Sequence, residues 1–293
     1  MKMSRRRFDY SLPSAVELMS CVSMISGLFF ICVTNVTAAT LYAATFANDL
    51  YVIDTDIKSV SLVGSMDRFA QTFGLADYNG QLWGYDQTNY ALFQLDTSDA
   101  STIQAISTGL PIRGEGSLAI DGSGNGYLGI GGTDSYEIQS FDLTAEDGAL
   151  TWVASIYDVL GLDGMDFDSS NTLYAISQSY AGQTPTTPYS LFTIDTATAI
   201  PTMIGSTGIS DTGMEPIAGL TFDSVGTLWG MLDDDLYTID INTGVATFYM
   251  ETGLVDVSGL SAITSPVPLP ATVWLFGSGI LGLIGIARRK KDI

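Results

Sequence analysis

The side chains that could carry out catalysis in this chain are almost entirely carboxylates. There is no histidine, and both cysteines, Cys21 and Cys32, lie in the first forty of the 293 residues. Ser-His-Asp and Cys-His mechanisms are therefore excluded. The chemistry that remains is the carboxylate pair of glycosidases, one acting as acid and the other as base or nucleophile. Glu115 and Glu215 are the candidates for it, because each stands just before an apolar segment of the same type.

Clusters of oxygen-bearing side chains make calcium the metal ion that suits the sequence best, because hard cations prefer carboxylate, hydroxyl and amide oxygens. The candidate ligands fall in two groups, Asp121, Ser123 and Asn125, and then Asp163, Asp166 and Asp168. The first group alternates as in the opening of a calcium loop, but Gly132 stands at the twelfth position, where a bidentate glutamate is needed. Calcium aside, we expect no cofactor.

These acids belong to a sequence that repeats. A five-residue pattern occurs five times: an aliphatic residue, a residue that is usually aromatic, any residue, an aliphatic residue or Phe, and finally Asp. Successive aspartates are 42, 46, 53 and 45 residues apart. The repeated aspartates are Asp54, Asp96, Asp142, Asp195 and Asp240. Each stands before a short turn, so we predict that each carboxylate accepts a hydrogen bond from the backbone two residues on.

Three further elements accompany each aspartate, and they predict four strands in each repeat. A short element with an aromatic residue precedes it, as at 82–84, and an alternating segment follows it, as at 60–63. A fourth element opens each repeat, at 74–76, 117–120, 164–167 and 219–222. Alternating short segments separated by turn residues indicate strands and hairpins, and four strands every 40 to 55 residues indicate a β-propeller blade.

The number of repeats predicts how the propeller closes. The first repeat has no opening strand, and residues 259–263, at the other end of the repeat region, match the missing element. We therefore predict an all-β chain of five four-stranded blades, in which the C-terminal strand completes the first blade and leaves no open edge. An open sandwich or a β-solenoid is the alternative. The repeated aromatic residues Tyr42, Trp83, Tyr174 and Trp229 are predicted to pack between blades.

Charge separates the repeat region from the two ends of the chain. Residues 41–265 contain 29 acidic residues and only three basic ones, Lys58, Arg68 and Arg113. Such a surface repels nucleic acid and anionic lipid, whose binding depends on Lys and Arg. We therefore expect no nucleic-acid partner. The partners that this charge allows are polar neutral polymers, basic proteins and divalent cations.

The N-terminal residues 1–39 have the pattern of a secretory signal peptide. Basic residues are followed by an apolar run over 21–33 and by small residues over 36–39, which places cleavage after Ala38 or Ala39. A membrane anchor is the alternative, but 13 residues are few for a span of about 20. Residues 4–8 also resemble the twin-arginine export signature, so the export route stays open.

The C-terminal residues 265–293 contain a Pro-rich linker, an uncharged stretch over 272–287 and a basic end. The residues that define the two flanks are Val267, Pro268, Leu269, Pro270 and Ala271, and then Arg288, Arg289, Lys290 and Lys291. As a helix the stretch would be about 24 Å long, slightly short for a bilayer, and the basic end is predicted to stay cytoplasmic. An ordinary tail anchor is the alternative.

This tail resembles the PEP-CTERM sorting signal in its Val-Pro-Leu-Pro-Ala form. The resemblance implies a Gram-negative envelope protein that an exosortase recognises in the inner membrane, cleaves near the Pro motif and sends to the cell surface or the matrix. It also implies an association with exopolysaccharide and biofilm, and only a transient membrane contact through the tail.

Taken over 40–264, the sequence favours a secreted or cell-surface β-propeller without catalytic activity, which acts as a binding or structural module for exopolysaccharide or matrix proteins. The first rival is a carboxylate-dependent carbohydrate-active enzyme on the same scaffold. The second is an adhesin that calcium stabilises.

Overall fold

The computed structural model describes residues 39–66, 72–109, 116–131, 136–145, 147–156, 161–177, 188–210, 218–232 and 235–263. The predicted signal peptide up to residue 38 and the sorting tail from residue 264 lie outside these ranges. Within them the regular structure consists of twenty strands and one 3₁₀ turn, Leu143–Ala145. No helix in the same ranges is long and apolar enough to cross a membrane.

The strands form five antiparallel sheets of four strands each. In chain order the strands are β1 Thr40–Thr45, β2 Asp49–Asp54, β3 Ser59–Ser65, β4 Thr72–Tyr78, β5 Gln81–Asp86, β6 Ala91–Leu95, β7 Thr102–Ser107, β8 Gly116–Ile120, β9 Asn125–Gly131, β10 Tyr136–Asp142, β11 Thr151–Ile156, β12 Gly164–Phe167, β13 Leu173–Ser177, β14 Pro188–Ile194, β15 Pro201–Ser210, β16 Ala218–Phe222, β17 Leu228–Leu232, β18 Asp235–Ile239, β19 Ala246–Glu251 and β20 Val257–Ala262.

Each sheet is one blade of a propeller. Blade 1 has the order β20-β1-β2-β3, and blades 2 to 5 begin with the inner strands β4, β8, β12 and β16. The five inner strands contact one another in a closed cycle, from β20 to β4, β8, β12, β16 and back to β20. The prediction of five four-stranded blades is confirmed.

The C-terminal strand closes the ring as predicted. β20 pairs antiparallel with β1, with Leu41 opposite Ala262 and Ala44 opposite Gly259. The chain therefore enters blade 1 and leaves it at the same end of the sheet. Closure satisfies the inner edge of β1, which would otherwise expose unpaired backbone groups.

Turns after the third strand of each blade confirm the role predicted for the repeated aspartates. In all five, one carboxylate oxygen accepts a hydrogen bond from the backbone N–H two residues on, with lengths of 2.8–2.9 Å. For Asp96, Asp142 and Asp195 these bonds and those from the turn hydroxyl hold the carboxyl pKa below its usual value. The aspartates of the repeat therefore belong to the fold.

The hydrophobic core is divided into five clusters, and each cluster lies between two neighbouring blades. Trp83 packs with Leu118 and Leu128 of blade 3, and Trp229 packs with Leu41 and Leu260 of blade 1. Tyr174 meets the ring of Phe222 edge to face at 5.2 Å. The repeated aromatic residues thus pack between blades, as predicted.

Glycines allow the inner strands to approach one another closely. A Cβ on Gly74, Gly164, Gly219 or Gly259 would lie 2.5–2.8 Å from the backbone nitrogen of a leucine in the next inner strand. The four leucines are Leu118, Leu220, Leu260 and Leu75. No real Cβ atom fits at that distance from backbone, so any side chain here must push two blades apart. Blade 3 has Ser117 at the corresponding place.

Replacement of Gly219 by alanine tests this close packing. We expect Gly219→Ala to lower the free energy of unfolding by about 2–3 kcal/mol, the usual cost of forcing extra atoms into a packed core. The control is Gly122→Ala, because a Cβ at Gly122 has nothing within 4 Å. Urea denaturation of both variants measures the difference. Equal stabilities would contradict direct backbone packing at Gly219.

Candidate functional site

A cavity of about 450 Å³ opens where the inner strands of the blades end. We call it the axial cavity. It is formed by the last residues of β4, β8, β12, β16 and β20 and by the turns that follow four of them. Its lining residues are Asp77, Tyr78, Asn79, Ile120, Asp121, Gly122, Asp166, Phe167, Asp168, Ser169, Asn171, Phe222, Asp223, Ser224 and Ala262.

The axial cavity is strongly acidic. Five of its lining residues are aspartates contributed by four different blades: Asp77, Asp121, Asp166, Asp168 and Asp223. No lysine or arginine is among the described residues that line it. Fixed negative charge of this density attracts cations and basic groups and repels anions.

Three of these aspartates occupy equivalent positions, directly after β8, β12 and β16. Asp121, Asp168 and Asp223 each accept hydrogen bonds from the backbone N–H groups two and four residues on, at 2.8–3.0 Å. The second oxygen of Asp121 accepts from the Asn125 amide, and that of Asp223 accepts from the indole of Trp229, both at 2.9 Å. These carboxylates shape the turns that form the rim.

Asp166 is different, because its carboxylate connects blade 4 to blade 5. Oδ2 accepts the backbone N–H of Phe222 at 2.7 Å and the hydroxyl of Thr221 at 3.1 Å. Oδ1 accepts the N–H of Phe167 at 2.8 Å. Burial raises the pKa of Asp166 to about 7, and the nearby charge of Asp77 adds to this effect, although the hydrogen bonds oppose it.

The connection continues from Asp166 to the closing strand. Thr221 Oγ1 donates to Asp166 and accepts the backbone N–H of Ala262 at 2.9 Å. One hydroxyl therefore links blade 4, blade 5 and the strand that completes blade 1. A chain of polar groups that is satisfied in this way fixes the relative positions of the elements that carry it.

The structure brings the predicted calcium ligands Asp121, Asp166 and Asp168 to the axial cavity and separates them from Asp163. Asp121, Ser123 and Asn125 form one turn. In it the backbone N–H groups of Ser123 and Asn125 and the side-chain amide of Asn125 donate hydrogen bonds to the Asp121 carboxylate. Asp166 and Asp168 lie in the axial cavity, whereas Asp163 precedes β12 and so lies toward the opposite end of that strand. Among the described residues no three acidic side chains form a group that could hold a metal ion. Calcium binding stays a prediction from the sequence.

The two glutamates proposed for catalysis, Glu115 and Glu215, lie outside the described residues. Asp77, Thr221 and Asp223 were not singled out by sequence reasoning. Alignment of the inner strands on their glycines supplies the missing signal. Two residues after that position the blades have Ala76, Ala119, Asp166, Thr221 and Ser261, so Asp166 is the one ionisable group among small side chains.

Comparison with known proteins supplies the identity of the tail. A protein-family model described as the PEP-CTERM protein-sorting motif matches residues 266–291. The chain carries a PEP-CTERM sorting motif. The resemblance noted for residues 265–291 is thereby confirmed, and the PEP-CTERM motif implies export, processing by an exosortase and sorting to the cell surface in bacteria. The protein is therefore a secreted, exosortase-sorted β-propeller.

The propeller is similar to known proteins in structure only. No curated protein matches the sequence. Among solved structures, a chain of the crystal structure of a nidogen/laminin complex is similar with a TM-score of 0.47 and 14% sequence identity. The alignment covers 80% of this chain and 88% of the other.

The environment of Asp166 has a consequence for stability. The folded state holds the Asp166 proton up to a pH of about 7, whereas the unfolded chain releases it near the ordinary pKa of 3.8. Between these values the folded protein binds more protons than the unfolded chain. The contribution of Asp166 to stability is therefore fully present below about pH 4 and is lost as the pH rises to about 7.

Comparison of Asp166→Asn with the wild type tests this assignment. The amide cannot ionise. We therefore expect the free energy of unfolding of the wild type to decrease by about 2–4 kcal/mol between pH 4 and 7, and we expect the variant to lack this decrease. Urea denaturation across this range measures it, with the exposed Asp56→Asn as control. Parallel pH profiles for the wild type and Asp166→Asn would show that Asp166 titrates normally.

Proposed function

We propose that the protein is a non-catalytic binding module of the cell surface or of the exopolysaccharide matrix. The observation that carries the proposal is the direct connection between the closed ring and the PEP-CTERM motif. Strand β20 ends at Ala262 and the motif begins at residue 266, so three residues separate them. The sorting signal therefore follows directly on the strand that completes the propeller.

The connection determines at which end of the propeller the tail is attached. Nine residues, 263–271, separate β20 from the uncharged stretch over 272–287, and in an extended conformation they would span about 30 Å. Ala262 lines the axial cavity, and the chain leaves the ring at that end. The tail is therefore attached at the acidic end of the propeller. The processed module keeps its new C-terminus beside the axial cavity.

Trp152 supports a polysaccharide as the ligand. It lies on the outer strand β11 and is 57% exposed, whereas Trp83 and Trp229 are buried. The register of β10 with β11 shifts by one residue after Ile138, as at a β-bulge, so Trp152 lies opposite Gln139. Bulges redirect side chains. An exposed indole provides a flat apolar face with a polar edge, which suits the face of a sugar ring.

The charge of the propeller restricts the class of polysaccharide. Residues 41–265 contain 29 acidic residues and three basic ones. Within the described ranges the only basic side chain is Lys58. Its ammonium group lies over the ring of Tyr249 and donates to the Tyr249 carbonyl oxygen. A polyanionic polymer would be repelled, so a neutral or cationic exopolysaccharide is the favoured partner.

Trp152→Ala tests polysaccharide binding. Loss of a stacking face is expected to weaken retention of the protein on exopolysaccharide extracted from the producing cells by about tenfold, because a central aromatic contact contributes more than 1 kcal/mol. Ile103→Ala is the control, since Ile103 is an exposed side chain on the outer strand of blade 2. Affinity electrophoresis in gels that contain the polymer measures retention. Equal retardation of both variants would contradict binding at Trp152.

A second candidate function is hydrolysis of a polysaccharide by carboxylates. Asp166 favours it, because a carboxyl with a pKa of about 7 beside the charged Asp77 in a cavity has the properties of a general acid. The length of the polymer after incubation with the protein, measured by size-exclusion chromatography, separates the two functions. A binding module returns the polymer at its original length, whereas an enzyme shortens it and loses that activity in Asp166→Asn, Glu115→Gln or Glu215→Gln.

A further inference from the structure

The surroundings of Ala39 indicate where the leader is removed. The small residues Val36, Thr37, Ala38 and Ala39 offer two bonds that fit the usual requirement for small side chains before the cut. Cleavage after Ala38 has Val36 at the third position before the bond, and cleavage after Ala39 has Thr37 there. The sequence does not distinguish these bonds, but the fold treats the two alanines differently.

Ala39 is part of the hydrophobic core. Its exposed fraction is 8%, and it belongs to the cluster that contains Leu41, Leu260 and Ala262. This cluster fills the junction between blade 5 and blade 1, where β20 closes the ring. The methyl group of Ala39 is therefore buried at the place on which closure depends.

The backbone N–H and the carbonyl oxygen of Ala39 both form hydrogen bonds. Its N–H donates to Thr55 Oγ1 at 3.1 Å, and its carbonyl oxygen accepts from the Thr55 hydroxyl at 3.1 Å and from the Thr55 N–H at 3.3 Å. Thr40 pairs with Asp54, so this contact extends the β1–β2 ladder by one residue. Thr55 is 5% exposed, and loss of Ala39 would leave its buried groups without these partners.

Thr55 in turn contacts the last blade. Its carbonyl oxygen accepts the Tyr249 hydroxyl at 2.6 Å. Lys58 Nζ lies 4.3 Å from the centre of the Tyr249 ring and donates to the Tyr249 carbonyl oxygen at 2.9 Å. Ala39, Thr55, Lys58 and Tyr249 form a continuous connection between blade 1 and blade 5. We call these four residues the clasp.

We propose that the leader is removed between Ala38 and Ala39, and that Ala39, as the first residue of the mature protein, is a structural part of the clasp. Water hydrolyses the Ala38–Ala39 amide at a leader peptidase, which leaves a carboxylate on Ala38 and an α-amino group on Ala39. An α-amino group still carries N–H donors, so the bond to Thr55 Oγ1 survives the cut. The proposal rests on export of the protein and not on its ligand.

Cleavage one bond later would have a structural cost. It would remove the buried methyl group and the carbonyl oxygen that accepts two hydrogen bonds from Thr55. In the folded ring the Ala39–Thr40 bond also lies between two residues that are paired with β2 or its turn. Proteases act on exposed backbone that is not hydrogen-bonded, so folding protects this bond.

The amino terminus of the exported protein tests the cleavage site. The full-length chain is expressed in a bacterium with its export machinery, the mature form is recovered, and its N-terminus is read by sequencing and intact mass. The expected first residue is Ala39. A first residue of Thr40 or a later one would overturn the proposal. This readout does not depend on binding to a polysaccharide, so it can fail or succeed independently of the proposed function.

The structural part of the proposal is tested by Thr55→Val. The variant keeps the shape of the side chain but removes the hydroxyl that bonds both sides of Ala39, and we expect the Tm to fall by about 3–8 °C. The control is Thr247→Val, which changes an exposed threonine on β19 and is expected to leave the Tm within about 1 °C. Equal Tm values for the two variants would overturn the role of Ala39 in the clasp. If Thr55→Val does not fold, Thr55→Ser, which keeps the hydroxyl, must restore the wild-type Tm.

Discussion

Direct contact between the backbones of neighbouring inner strands is the constraint on which this propeller depends. Five blades form a narrow ring, and the space between inner strands admits no Cβ at Gly74, Gly164, Gly219 or Gly259. The following residue, usually leucine, then reaches into the cluster between blades. Tight packing at the centre thus creates the five separate cores, and it brings the ends of the inner strands close enough to form one acidic cavity.

Closure by β20 connects this ring to the route by which the protein is sorted. The strand contacts β1 by hydrogen bonds, β16 and β4 by packing, and Thr221 through the N–H of Ala262. After three intervening residues the PEP-CTERM motif begins. Both ends of the propeller lie side by side, since Leu41 pairs with Ala262. The first and last strands of the propeller therefore meet at one junction, which the clasp holds together.

The repeat made most of the fold predictable. Aspartates such as Asp54 and Asp240 recur because each blade needs the same turn, and their spacing gave the number of blades. The match of residues 259–263 to a missing strand gave the closure. The axial cavity was harder to predict, because its acids come from four blades and become neighbours only when the ring closes. Asp166 resembles the other aspartates in the sequence, and its burial depends on Thr221 and Phe222, 55 and 56 residues away.

Closure of the ring requires β20 to be held as firmly as the inner strands that the chain forms within its own repeats. Native-state hydrogen exchange, followed by mass spectrometry of peptides that cover β20 and β16, compares the two kinds of strand. We predict that amides of Gly259 to Ala262 exchange only through global unfolding, with the same opening free energy as those of β16. Exchange of β20 through a separate opening of lower free energy would contradict it.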